Sequence, residues 1–276
     1  MEDPRSERIR VFRDTMQWCG SDPSLRAAIK ASKAGTAVYK SGDYPPYDRR
    51  KRHDTAITLS GKRTFEAAVS LLEEEPKVKV AVLSFANAFT PGGGVATGAS
   101  AQEECLCRCS TLYPLLDRYD ALDDFYGFHA RHCDNRASDA VIYTPGVVIC
   151  KTDSLVPERL PEDEWRRVDV LTCAAPDMRG FGAGAFMSPA ELYAVHVKRA
   201  EHILSVAAAN KNDALVLGAF GCGAFRNDPE TVARAWRTVL AEFDGIFKRV
   251  EFAIYQAEGT VSANLEAFKK IFSAGE

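Results

Sequence analysis

From about Val78 onward, short continuous apolar runs alternate with helical stretches, and this texture limits what the chain can become. The runs are Val80–Phe85, Val141–Cys150, Val168–Ala174, Ala214–Phe220 and Val250–Tyr255. Between or after them lie helical patterns over Ala101–Tyr113, Pro189–Ala209, Pro229–Phe243 and Val261–Phe272. Strands that are apolar without alternation are buried on both faces, which is the condition of a largely parallel sheet covered by helices on either side. The first 75 residues read differently. Helical patterns cover Ser6–Trp18 and Leu25–Lys33, and Gly42-Asp43-Tyr44-Pro45-Pro46 is a loop. Asp54–Leu59 alternates and is expected to be an edge strand, and a helix follows it. The expected class is therefore α/β: a three-layer α/β/α arrangement with a mixed, largely parallel sheet. Residues 1–75 are expected to be a mostly helical N-terminal region and residues 76–276 the main domain.

The chain has 276 residues, 46% of them hydrophobic, enough for a sizeable core. Its net charge of -3 gives no overall case for nucleic acid. The run Arg49-Arg50-Lys51-Arg52-His53 reads as a solvated loop. No run of about 18 apolar residues occurs, and the charged start, Met1 to Ser6, lacks the apolar core of a signal peptide. These features lead to the expectation of a cytoplasmic protein without membrane partners. The 8 cysteines, several inside apolar runs, read as free thiols in a reducing compartment.

In open sheets ligands sit where strands end and helices begin. Two glycine-rich loops occupy such positions: Thr90-Pro91-Gly92-Gly93-Gly94, and Gly218-Ala219-Phe220-Gly221-Cys222-Gly223-Ala224-Phe225. Bare backbone leading into a helix N-terminus makes a cradle of N–H donors for phosphate. Neither loop is a Walker A motif or a dinucleotide fingerprint. Two such loops in one sheet suit the two anionic groups of a diphosphate. Asp228-Pro229 is expected to start the helix after the second loop, and Ser100 with Glu103 a capping box after the first.

At about 100° per residue, Cys105, Leu106, Cys109, Leu112 and Tyr113 fall on one side of the following helix, which is expected to be its buried stripe. Glu103, Glu104, Cys107, Arg108 and Thr111 fall on the other. Cys107 points away from Cys105 and Cys109, so the three thiols cannot converge on a metal, and neither metal nor cofactor is expected. Glu104 can simply pair with Arg108 one turn on. A carboxylate beside a diphosphate cradle has a use, however, if it touches an adjoining sugar. Adjacent helix residues diverge too far for Glu103 and Glu104 to flank a glycosidic bond, so in a glycosidase one glutamate would move protons and the other bind sugar.

At these residues the sequence resembles a known family. Phe85-Ala86-Asn87, then Gly92-Gly93-Gly94, then after seven residues Gln102-Glu103-Glu104, together with Gly218–Asn227, is similar to the signature of microbial-type poly(ADP-ribose) glycohydrolases, which are macrodomain proteins. The resemblance implies that Glu104 is the catalytic glutamate and that Glu103 holds ribose hydroxyls. It implies that Gln102 belongs to the substrate-binding set, that Asn87 contacts the distal ribose and that Phe225 packs against that ribose. It gives the pyrophosphate to Gly92, Gly93, Gly94 and Val95 in one loop and to Gly221, Cys222, Gly223, Ala224 and Phe225 in the other. Tyr255 would stand beside adenine, and the C-terminal helix near the adenosine would favour cutting from chain ends. The implied partners are ADP-ribose, poly(ADP-ribose) or ADP-ribosylated protein. Removal of single ADP-ribose units from protein side chains, or non-catalytic reading of ADP-ribose, are the alternatives that the motif leaves open.

Overall fold

The computed structural model describes residues 3–118, 122–180 and 186–273. A 7-stranded sheet with the order β1-β4-β5-β3-β6-β7-β2 runs through its centre. In chain order the strands are β1 (Ala37–Tyr39), β2 (Ala56–Ser60), β3 (Val80–Ala86), β4 (Val141–Ile149), β5 (Arg166–Ala174), β6 (Ala214–Leu217) and β7 (Arg249–Ala253). From β5 through β3, β6 and β7 to β2 every pairing is parallel. At the other end β4 runs antiparallel to β5 and β1 antiparallel to β4.

Successive side chains of β3 enter opposite layers, as the period of a strand requires. Val80 and Val82 join the core beneath α1 (Pro4–Ser21), α2 (Pro23–Gly35), α3 (Thr64–Glu74), α4 (Gln102–Cys109), α5 (Tyr113–Leu116) and α6 (Tyr126–His132). Ala81 and Leu83 join the core beneath α7 (Pro189–Ala209), α8 (Pro229–Glu242) and α9 (Ala263–Ser273). The three-layer α/β/α expectation holds, and the apolar runs are the strands.

Residues before 75 do more than cover the sheet. β1 and β2 are its two edges: Ala37–Tyr39 pair with β4, and Ala56–Ser60 with β7. The edge strand expected over Asp54–Leu59 is therefore β2, whereas β1, only three residues long, carries no periodicity to read. The helix ends follow local chemistry. Asp22 accepts the amide of Leu25, and Asp228 that of Thr231, each with proline in the first turn. The basic run is solvated, with Arg50 and Arg52 on Asp48 and Lys51 on Asp244.

Two expectations about the helix after the first glycine loop are corrected. It does not reach Tyr113. α4 ends at Cys109, because Ser110 turns into a bridge with Ile149 and Pro114 opens a separate short helix. Nor is its second face outside: Cys107, Arg108 and Thr111 are buried. Two distant elements cover it: α1 lies across α4 and donates from Thr15 Oγ1 to the carbonyl of Arg108 at 2.6 Å, while Thr111, just past the helix, exchanges hydrogen bonds with Val148 of β4 at 3.0 and 2.9 Å. Lys151, itself buried, reaches Asp14 of α1 at 2.7 Å and the carbonyl of Val11 at 3.1 Å.

Candidate active site

Loops leaving the carboxyl ends of all five parallel strands converge on one cleft of about 710 Å³. Lys62, Arg63 and Thr64 come from beyond β2, Asn87 from β3, Arg179 from β5, Ala219 to Phe225 from β6, and Ile254 with Tyr255 from β7. The first turn of α4 adds Gln102, Glu103 and Glu104. Carboxylates belong there, because the positive end of a helix favours negative charge.

Each of these three side chains is anchored differently. Gln102 clamps α4 to the sheet. Its Oε1 accepts the amide of Phe85 at 2.9 Å, while Nε2 donates to the carbonyl of Leu83 at 2.7 Å and to Thr64 Oγ1 at 3.0 Å. Glu103, 2% exposed, receives the amides of Asn87 at 2.7 Å and Gly92 at 3.1 Å, one on each oxygen. Glu104, 7% exposed, receives the amide of Gly94 on Oε1 at 2.9 Å. Its Oε2 is buried and accepts no hydrogen bond from the described residues. Burial pushes the Glu103 carboxyl well above the usual carboxylate range and the charge of Glu104 adds to this, while the Asn87 and Gly92 amides oppose it.

The expected capping box is absent, because Ser100 does not cap α4. Ala101 is its N-cap, without a side-chain bond, and Glu103 reaches across to the β3 loop instead. The bland pairing of Glu104 with Arg108 is absent too. Arg108 donates to the carbonyl of Ala99 at 2.6 Å and to Cys105 Sγ at 3.1 Å.

The two glycine loops turn out to be unlike. In the first, the Gly92 and Gly94 amides hold the glutamates, Gly93 donates to Thr90 and Val95 to Gly92. None of these four residues is part of the cleft wall. Glycine is required for another reason: a Cβ on Gly93, at φ 56°, would stand 2.6 Å from Glu104 Oε1 and 3.1 Å from Glu103 Oε2. Bare backbone lets the carboxylates come close. In the second loop, Gly221 turns at φ 78°, and the amides of Gly221, Gly223, Ala224 and Phe225 donate to no acceptor among the described residues. All four residues line the cleft, whereas Cys222 does not. This is an open nest of donors suited to an anion.

Aromatic rings stand at the rim. Phe225 lies under Arg179, whose guanidinium is 5.3 Å from the ring centroid and paired with Asp177. Tyr255, 46% exposed, carries Arg63 over its ring at 4.0 Å. Ser262 and Asn264, at the start of α9, share the wall with Tyr255. Sequence reading missed Arg63, Arg179 and Asp153. Asp153 lines the cleft, accepts the amide of Phe65 at 3.0 Å and has its carboxyl raised chiefly by burial. All eight cysteines are free, and no metal-holding cluster of His, Cys, Asp or Glu occurs among the described residues.

Comparison with known proteins gives the family and the fold. Residues 12–152 match the family described as "Microbial-type PARG, catalytic domain". The chain is similar to the crystal structure of poly(ADP-ribose) glycohydrolase from Thermomonospora curvata, at 33% identity and a TM-score of 0.83, covering 96% of this chain and 99% of that one. It is also similar to that enzyme bound to the inhibitor ADP-HPD, at 32% identity and a TM-score of 0.80 over 95% and 98% of the two chains. A third similar structure is the Deinococcus radiodurans glycohydrolase in complex with ADP-ribose, at 32% identity and a TM-score of 0.78 over 89% and 97%. No curated protein sequence matches the chain. The family match over residues 12–152 and the likeness to the Thermomonospora curvata enzyme over nearly the whole of both chains lead to one conclusion: the chain belongs to the microbial-type poly(ADP-ribose) glycohydrolases, hydrolases with a macrodomain-like fold.

Proposed function

We propose that this chain hydrolyses ribose–ribose O-glycosidic bonds in poly(ADP-ribose), releasing ADP-ribose, with Glu104 as the single general acid and base. One observation carries the assignment to Glu104. Of the four carboxylate oxygens of Glu103 and Glu104, only Glu104 Oε2 lacks a partner among the described residues. The Gly94 amide fixes the other oxygen, so the carboxyl is aimed while Oε2 stays available for a proton. In this reading Oε2 protonates the leaving ribose oxygen as the bond breaks through an oxocarbenium-like state, then takes a proton from the attacking water. Glu103, with an amide on each oxygen, keeps lone pairs for ribose hydroxyls.

The pyrophosphate goes to the open amides of Gly221, Gly223, Ala224 and Phe225. The first glycine loop supports the reaction from behind by holding both carboxylates. Phe225 and Asn87 bracket the distal ribose, and Tyr255 with Arg63 offers a stacking surface for adenine. α9 beside Tyr255 fits cutting from chain ends. Residues 1–75 serve as an accessory region in this scheme, with α1 backing α4. A cytoplasmic location is our reading, and the free thiols support it. No helix among the described residues is long and apolar enough to cross a membrane.

The test is Glu104→Gln, which keeps an acceptor for the Gly94 amide. ADP-ribose affinity should stay within about twofold, and release of ADP-ribose from polymer should fall about 10²–10⁴-fold. Undiminished turnover would remove Glu104 from the chemistry. Running mono-ADP-ribosylated protein in parallel separates polymer cutting from removal of single units.

A further inference from the structure

The proposed function gives the pyrophosphate to a loop of open amides, and something must hold that loop open. A stretch of adjacent unpaired N–H groups has no internal reason to keep its shape, because in most loops such donors fold back onto nearby carbonyls. Here the carbonyls are occupied from behind. Asn227, 2% exposed, sends Nδ2 to the carbonyl of Pro176 at 2.7 Å, to that of Gly221 at 3.0 Å and to that of Phe225 at 3.3 Å. Its own amide also donates to Gly221 at 3.1 Å, and the Met178 amide to Phe225 at 2.9 Å. One buried side chain thus fastens both ends of the 221–225 turn to the segment leaving β5.

The orientation of that amide is fixed in turn. With Nδ2 committed to carbonyls, Oδ1 must accept, and it faces His196 Nε2 of α7 at 2.7 Å. His196 is therefore the tautomer with the proton on Nε2. It is buried, and burial lowers its pKa to about 3, so it stays neutral and donates one hydrogen bond. Space agrees with hydrogen bonding. A Cβ on Gly221 would lie 2.8 Å from Asn227 Nδ2, so the turn sits directly against the amide.

We infer that Asn227, oriented by His196, is a positioning residue that holds the second glycine loop in the conformation whose outward amides bind the pyrophosphate. It touches no substrate and acts through the loop. This inference rests on the proposed function, since it presumes that an ADP-ribose pyrophosphate occupies the nest.

The experiment compares Asn227→Leu, His196→Leu and His196→Gln with the wild-type chain, measuring ADP-ribose affinity by calorimetry, kcat and KM on polymer, and melting temperature. Gln carries an amide N–H near the place of Nε2, so it can restore the bond that Leu removes. Losing about one charge-assisted hydrogen bond corresponds to about tenfold. Asn227→Leu should weaken ADP-ribose binding about tenfold or more and raise KM in step, with kcat at saturation retained. His196→Leu should shift binding the same way by less, and His196→Gln should recover most of it. Equal affinity in all variants, or a lower melting temperature alone, overturns the positioning role. If Asn227→Leu does not fold, the contrast between His196→Leu and His196→Gln decides, and equal affinity there overturns the inference. Failure of the wild-type chain itself to bind ADP-ribose would instead refute the proposed function.

Discussion

Gly93→Ala probes the claim that bare backbone exists to let the carboxylates approach. The added methyl would stand 2.6 Å from Glu104 Oε1 where ordinary contact starts near 3.4 Å, so the oxygen must retreat by about 0.8 Å. That retreat breaks the 2.9 Å bond from the Gly94 amide, a hydrogen bond to a charged group worth about 1.5–3 kcal/mol. Holding alanine at φ 56° adds about 1–2 kcal/mol. The total is on the order of 3–4 kcal/mol, which at about 2–4 °C per kcal/mol lowers the melting temperature by about 10 °C. A catalytic group displaced by about 1 Å costs on the order of a hundredfold in rate. The assay is release of ADP-ribose from polymer, at a temperature where the variant is folded. Gly20→Ala is the control, because nothing lies within 4 Å of its added Cβ. A Gly93→Ala enzyme with wild-type kcat would refute the argument that this loop aims Glu104.

Two further outcomes follow from the anchoring contacts. Gln102→Leu leaves the Phe85 amide and the Leu83 carbonyl without their partner. Urea denaturation should show a loss of about 1–3 kcal/mol, and an unchanged midpoint would count against the clamp. Asp14 is held below the usual carboxylate range, from 3.8 to about 2, first by Arg159 and then by Lys151 against the opposing effect of burial. A depressed folded value stabilises above the unfolded value and is lost on acidification. The contribution is complete above about pH 4 and disappears as pH falls through about 2. With 36% of the Asp14 side chain exposed, screening reduces it to about 1 kcal/mol. Asp14→Asn should therefore cost that much at pH 7 and progressively less as pH falls from about 4 through about 2, and a cost undiminished at pH 2 would sink the linkage.

The readings that survived are the ones local chemistry decides. Continuous apolar runs became strands because burial on both faces leaves that imprint on sequence, and β3, β5 and β7 lie where their runs lie. Asp228 with Pro229 starts α8 because a cap depends on four neighbouring residues. Glu103 and Glu104 lie in the first turn of α4 and line the cleft, as two acids placed just after a glycine loop and at a helix start are positioned to do.

What sequence left undecided depends on contacts between distant segments. The wheel of the helix after the first glycine loop set Cys107, Arg108 and Thr111 opposite the buried stripe, since periodicity registers one buried side and α1 and β4 arrive from residues far away to cover the other. β1 and β2 became the edges of the sheet through pairings that span more than 100 residues. The sequence alone determined two glycine loops, an α/β framework and a pair of glutamates at a helix start. Only the tertiary structure decided that one loop grips the carboxylates while the other stays open, because composition records how much backbone is bare and only folding determines where its N–H groups point.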